Sequence, residues 1–331
     1  MALDLDTPAT LLRTAADSSC REGSLLLESF QPQHARGSVD TWVHYCLYGS
    51  PGKPVVAVLG GISASRWVLD SPDGRHAGWW RHIVGRGLGI DTDNYRVLSL
   101  DFFTGLDCGD GECSAVTTAD QADLLVGVLD DLGIDHLQAC VGASYGAMVA
   151  LQFAARHPDR LERVVAISGA DKAHPMATAL RGLQREIVRL GLRHGAGAEA
   201  LRIARALGLV TYRSHSDYAR RFAAGPVEQA LLGRARTYAA NTPPEAFLRL
   251  SESLDTHNVD PRTIRTSTIL VAADPDMLVP VEQMQGLAGR LGGRTRYVEI
   301  SSRYGHDTFL KEHNQIAGIL ATALAEDCSH D

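Results

Sequence analysis

Gly142-Ala143-Ser144-Tyr145-Gly146 sets a serine between two glycines, after the apolar run Leu137 to Val141 and before a helical stretch from Ala147 to Arg156. Alone, Gly-x-Ser-x-Gly is a common turn. Between a buried strand and a helix it describes a nucleophile elbow: glycine permits a turn too tight for a larger side chain, and the hydroxyl stands exposed above the strand. A serine hydroxyl is a poor nucleophile until a base takes its proton, and the base needs an acid to orient it. Two later segments carry such groups. Ala273-Asp274-Pro275-Asp276 follows the run Thr268 to Ala272, and Tyr304-Gly305-His306-Asp307 comes shortly after Arg296 to Ile300. The order serine, acid, histidine suits acyl transfer at Ser144, with His306 as general base and Asp276 or Asp274 as the acid. The oxyanion formed in such a reaction needs two N–H donors. We expect one from Tyr145 and the other from Gly61, in the turn that ends the run Pro54 to Leu59.

These loops can meet only if the strands before them end side by side. Residues 24–30 and 42–48 read as a pair of strands, the second alternating at period two. Residues 54–59, 95–100, 137–141, 163–168, 268–272 and 296–300 read as further strands, most of them separated by helices (about 120–132, 147–156, 281–291 and 309–325). From about 170 to 262 the apolar pattern is helical only, with Leu180, Leu183, Ile187 and Leu190 on one face. Residues 1–22 show no periodicity and are expected to form an extended or frayed arm. Strand–helix alternation implies a mostly parallel sheet covered on both faces, with an antiparallel pair at its N-terminal edge. The fold class is therefore α/β: an α/β-hydrolase fold with an eight-stranded sheet, its core domain formed by 1–169 and 263–331 and a helical cap inserted at 170–262. Open sheets of this kind place their sites at the C-terminal ends of the strands, where the candidate residues fall.

Composition narrows the function classes. The 331 residues are 45% hydrophobic and 21% charged, ordinary for a globular chain with a sizeable core. A formal charge of −7 supplies no basic stripe for nucleic acid. No apolar run is long enough to span a membrane. The N-terminus is acidic and lacks the apolar core of a signal peptide, so a cytoplasmic enzyme is expected. Cys20, Cys46, Cys108, Cys113, Cys140 and Cys328 are scattered without zinc-site spacing. They are expected to be free thiols, with Cys46 and Cys140 buried in strands and no metal bound.

Several segments go beyond a generic serine enzyme. Arg202-Ile203-Ala204-Arg205-Ala206-Leu207-Gly208-Leu209-Val210-Thr211-Tyr212-Arg213-Ser214, Tyr304-Gly305-His306-Asp307-Thr308-Phe309-Leu310, Gly78-Trp79-Trp80 and Leu183-Gln184-Arg185-Glu186 together resemble the homoserine O-acyltransferase family, including its serine O-succinyltransferase branch. The resemblance runs from about residue 40 to the C-terminus. It implies a ping-pong reaction in which Ser144 takes an acyl group from acyl-CoA and passes it to the side-chain hydroxyl of an amino acid. It selects Asp276, four residues before a proline, as the triad acid, and leaves Asp274 as the alternative. By matching position, Arg205 would hold the carboxylate of L-homoserine with Tyr212 beside it, and Asp307 would hold the ammonium. A guanidinium suits a carboxylate in bidentate geometry, so the assignment is also sound chemistry. The resemblance further implies a homodimer and no permanently bound cofactor, acyl-CoA being a co-substrate.

The chain departs from the family in its elbow, Gly-Ala-Ser-Tyr-Gly-Ala for the usual Gly-Gly-Ser-Met-Gly-Gly, in its oxyanion loop and in a shorter cap. Tyr145 is accordingly expected to alter the acyl pocket. A succinyl group differs from an acetyl group by a carboxylate and so needs a cation near that pocket. Arg66, just past the oxyanion loop, is the candidate. The expectation is homoserine O-succinyltransferase activity, with homoserine O-acetyltransferase, serine O-succinyltransferase and plain serine esterase activity as the alternatives.

Overall fold

The computed structural model describes residues 20–106, 115–223 and 225–326. Cys108, Cys113, Cys328 and the first nineteen residues lie outside them. Of the expected N-terminal arm, Cys20 to Glu22 belong instead to the first strand.

The strands are β1 (Cys20–Phe30), β2 (Val39–Tyr48), β3 (Val55–Leu59), β4 (Arg96–Leu100), β5 (Ala139–Ala143), β6 (Arg163–Ile167), β7 (Ser267–Asp274) and β8 (Thr295–Ser301). They form one sheet in the order β1-β2-β4-β3-β5-β6-β7-β8. β1 pairs antiparallel with β2, and β2 antiparallel with β4; the remaining pairs are parallel. Burial follows from position. β2 alternates buried and exposed through Tyr45, then is buried throughout where β4 pairs with it, from Tyr45 to Tyr48. β3, β5 and β6 lie in the middle of the sheet and are buried at every residue, as continuous apolar runs require.

The helices are α1 (Thr118–Asp131), α2 (Tyr145–Arg156), α3 (Pro175–Arg193), α4 (Gly197–Thr211), α5 (His215–Arg221), α6 (Val227–Asn241), α7 (Pro244–Thr256), α8 (Val281–Ala288), α9 (Thr308–Lys311) and α10 (His313–Ala325). α1 opens on a capping box, with the Thr117 hydroxyl and the Asp120 carboxylate each bonding the other's amide. One face of the sheet packs on α1, α2 and α8, and the other on α10 and the Trp67–Ile90 segment. The single closing helix expected from 309 to 325 is in fact two. Glu312 leaves helical geometry, and its carboxylate accepts a hydrogen bond from the Ser302 hydroxyl at 2.8 Å.

Helices α3 to α7 lie between β6 and β7. α3 packs against α4 and α7, and α4 against α6, around a small centre of Val188, Leu201, Ala204 and Phe247. The apolar stripe on α3 is divided: Leu183 and Leu190 are 61% and 52% exposed, while Ile187 packs on that centre and Leu180 on the main core. The buried side carries Ala177, Gln184, Val188 and Gly191.

Candidate active site

Loops from four strand ends converge at one edge of the sheet. The elbow is tight because backbone must pass close to backbone: a methyl group on Gly142 would strike the Gly146 carbonyl, and one on Gly146 would strike that of Leu59. Ser144 itself sits at φ 55° and ψ −116°, a region that costs an L-residue about 1–3 kcal/mol and persists only where its surroundings enforce it. They do so through two hydrogen bonds. The Ser144 amide donates to Ile167 at 2.8 Å, and the Gly146 amide to Gly60 at 2.9 Å.

The Ser144 Oγ lies 2.8 Å from His306 Nε2. On the other side of the ring, Nδ1 lies 2.7 Å from Asp276 Oδ2. Asp276 is itself held: Oδ1 accepts the amides of Leu278 at 2.9 Å and Val279 at 3.0 Å. Asp274, the alternative acid, is exposed at the end of β7; its carbonyl accepts the Ser302 amide, and its carboxylate makes no hydrogen bond among the described residues. His306 reaches the serine because Gly305 before it adopts φ 59°, in a cleft where a Cβ would press on the carbonyls of Pro275 and Tyr212. Burial opposes a charge on His306. The carboxylates of Asp276 and Asp307 outweigh burial and the opposing charge of Arg181, and hold the imidazole pKa above its ordinary value.

A cavity of about 290 Å³ opens over Ser144, and Gly61, Arg205, Tyr212, His306 and Asp307 all line it. Among the described residues, neither the Tyr145 nor the Gly61 amide donates to a protein acceptor. Gly61 is close to the nucleophile: a Cβ there would sit 3.8 Å from the Ser144 Cβ. That is ordinary contact, so the tight glycine of the turn is Gly60, where a Cβ would meet Ala64 and Trp79.

The Arg205 guanidinium donates to Tyr212 Oη at 3.0 Å and to Ser63 Oγ at 3.2 Å. It stacks over the Tyr238 ring at 4.5 Å and over the Tyr212 ring at 5.3 Å. No carboxylate pairs with it among the described residues. Asp307 Oδ2 accepts from Arg213 Nε at 2.6 Å, which leaves Oδ1 without a hydrogen bond among the described residues.

Two expectations change. Arg66 donates to Asp101 and Glu22, each at 2.5 Å, and is absent from the cavity wall. Its charge is spent on two carboxylates, so it is withdrawn as the reader of an acyl carboxylate. Tyr145 contributes no side chain to the cavity. Its ring is fully buried against Phe102, and its hydroxyl bonds Ser253 Oγ of α7 at 2.7 Å, tying the elbow helix to the inserted helices. Trp79, Met148, Lys172 and Arg181 also line the cavity. Gly78-Trp79-Trp80 was the available signal for Trp79. Met148 follows Ser144 by one turn of the elbow helix, whereas Lys172 and Arg181 meet Ser144 only through the folding of the chain. Of the cysteines, Cys46 and Cys140 are buried thiols in β2 and β5, and Cys20 is a half-buried thiol in β1. Among the described residues no cluster of His, Cys, Asp or Glu is placed to hold a metal ion.

Residues 54–312 match the family described as alpha/beta hydrolase fold. A homoserine O-succinyltransferase of Xanthomonas campestris pv. campestris is 40% identical, over 98% of this chain and 92% of its own length. A serine O-succinyltransferase of the same organism is 29% identical, over 89% of this chain and 93% of its own. The crystal structure of a homoserine O-acetyltransferase from Bacillus anthracis superposes with a TM-score of 0.84 at 16% identity, covering 94% of this chain and 99% of that one, which speaks for the fold. Identity of 40% over nearly the whole chain, on a fold whose elbow serine, histidine and aspartate are in contact, places the chain in the homoserine O-acyltransferase family of the α/β-hydrolase fold.

Proposed function

We propose that this enzyme is an acyl-CoA-dependent homoserine O-acyltransferase, and specifically a homoserine O-succinyltransferase serving methionine biosynthesis. The observation that carries the reading is Arg205. A partly buried guanidinium with no carboxylate partner among the described residues, sharing the cavity with the nucleophile and with Asp307, is of no use to a plain esterase. It suits an acceptor that brings its own carboxylate and ammonium.

The reaction proceeds in two halves. Ser144 Oγ attacks the thioester carbonyl as His306 Nε2 takes its proton, and the Tyr145 and Gly61 amides donate to the oxyanion. The tetrahedral adduct collapses, the C–S bond breaks and the thiolate leaves with the proton from His306. The homoserine hydroxyl then attacks the acyl-Ser144 ester and gives its proton to His306, which returns it to the Ser144 oxygen as the new ester departs. Arg205 and Tyr212 hold the amino-acid carboxylate, and Asp307 Oδ1 the ammonium. Use of acyl-CoA would place the reaction in the cytoplasm, where that donor is found. Exposed apolar residues at seven-residue spacing on α3 (Met176, Leu183, Leu190) and α4 (Ile203, Val210) support a homodimer formed through these helices. Leu183→Asp should then convert dimer to monomer in sedimentation velocity; an unchanged profile removes this interface.

Thiol release from acetyl-CoA and succinyl-CoA, each with L-homoserine, L-serine or no acceptor and with Ser144→Ala as blank, tests the reading. Release that requires L-homoserine is the expected result, and Arg205→Ala should raise the KM for it by ~10–100-fold, as loss of a charge-assisted pair does. A dependence on L-serine would change the acceptor. Release indifferent to any acceptor would make water the acceptor and the enzyme a hydrolase.

A further inference from the structure

Resting on Ser144 as the acyl carrier, the cavity raises the question of what distinguishes a dicarboxylic acyl group from an acetyl group. With Arg66 occupied elsewhere, the arginines and lysines on its wall are Lys172, Arg181 and Arg205. Arg205 faces the amino acid. Lys172 is solvent-exposed, so water screens its charge.

Arg181 is different. It sits on α3 and donates through Nε at 2.8 Å and one Nη at 2.5 Å to a single oxygen, Asp255 Oδ1 on α7. The other oxygen of Asp255 is taken by Arg185 at 2.5 Å, and the same Arg185 nitrogen reaches Ser251 Oγ at 3.0 Å. Thr178 adds a further donor to Oδ1 at 3.0 Å. Two guanidiniums, neither able to give up its proton, thus share one carboxylate in a largely buried cluster. One positive charge is left over. The next ion pairs outward, Arg189 with Glu186 and Glu252, have side chains open to water and are balanced by solvent rather than by the cavity. Arg181 Nη1 has no partner among the described residues, and Arg181 is near enough to His306 for its charge to act against the imidazolium.

A buried excess charge is costly unless an opposite charge meets it. An acyl group on Ser144 projects into the same cavity, and a succinyl group would bring a carboxylate there. We propose that Arg181, clamped by Asp255 and backed by Arg185, recognises the distal carboxylate of a dicarboxylic acyl donor and so determines donor choice. Asp255 fixes the guanidinium plane while Nη1 remains to donate. Arg185 adds charge without touching the ligand. An acetyl group leaves the excess unmet and gains nothing from it.

The test compares kcat/KM for succinyl-CoA and acetyl-CoA, at saturating L-homoserine, in the wild type, Arg181→Ala, Arg181→Lys and Arg66→Gln. Arg181→Ala should lose ~10–100-fold with succinyl-CoA and change less than about threefold with acetyl-CoA, the range expected when one charge-assisted contact is removed. Arg181→Lys, a cation without the planar fork, should fall between, and Arg66→Gln should keep the wild-type ratio. Melting curves identify any variant that fails to fold, in which case Arg181→Lys carries the comparison. Equal losses with both donors, or an unchanged ratio, would overturn the assignment, as would a wild type that favours acetyl-CoA. Those results leave acyl transfer standing. No thiol release from either donor by the wild type would instead sink the acyltransferase reading itself.

Discussion

Helices α2 and α3 put opposite kinds of surface to use. α2 turns Val149, Leu151 and Phe153 into the main core, and its first residues position Ser144. α3 turns Leu183 and Leu190 outward, while its inner side presents Gln184 and Arg181 to the cavity. A helix beside a sheet must bury its apolar side, because that burial holds it in place. A helix roofing the site is held by ion pairs and a small apolar centre, which frees part of its apolar side for another surface. The hydrophobic pattern therefore marks the inner face on α2, whereas on α3 it is split between inward Leu180 and Ile187 and outward Leu183 and Leu190.

The largest effect is expected at the triad, on the α2 side. Asp276→Asn should lower kcat by about 10⁴-fold, because the amide cannot hold the His306 tautomer that accepts the serine proton. Asp274→Asn should leave kcat within a fewfold; if both substitutions cost the same, the triad assignment fails. For stability, Leu125→Ala on α1 should cost about 2–5 kcal/mol in urea unfolding, since it opens a cavity in the fully buried core. Leu183→Asp should change the unfolding free energy of the monomer by only about 0.5 kcal/mol. A large loss from Leu183→Asp in monomer would show that α3 buries this face after all.

A smaller effect sharpens the electrostatics of the site. Only neutral His306 can take the serine proton, and the carboxylates beside it stabilise the protonated ring. Single-turnover acylation by acyl-CoA without acceptor should thus lose activity as pH falls, with its acid limb above the ordinary histidine value. Asp307→Asn removes one of those charges and should move the limb downward. A limb that stays where it was would mean that Asp307 does not act on His306.

Much of this was legible beforehand because it depends on local chemistry. The elbow, the strand runs at 54–59 and 163–168 and the loop bearing His306 each announce themselves through glycines, apolar continuity and turn residues. The choice between Asp274 and Asp276 did not follow from the residues alone. The family resemblance selected Asp276, and the structure supplies the physical reason: the amides of Leu278 and Val279 hold its carboxylate beneath the imidazole. Arg66 misled: its place just after the oxyanion loop is a fact of sequence, but its partners Glu22 and Asp101 come from other strands or their ends.

By itself the sequence determined the order of the strands, the nucleophile, its base and the family, since each rests on periodicity or on residues close together in the chain. Only the tertiary structure decided where charges are spent. Arg66 is neutralised by carboxylates, Arg205 has none among the described residues, and Arg181 shares one with Arg185. Whether a cation can bind a substrate depends on which opposite charges lie within a few ångströms, and residues far apart in the chain supply them.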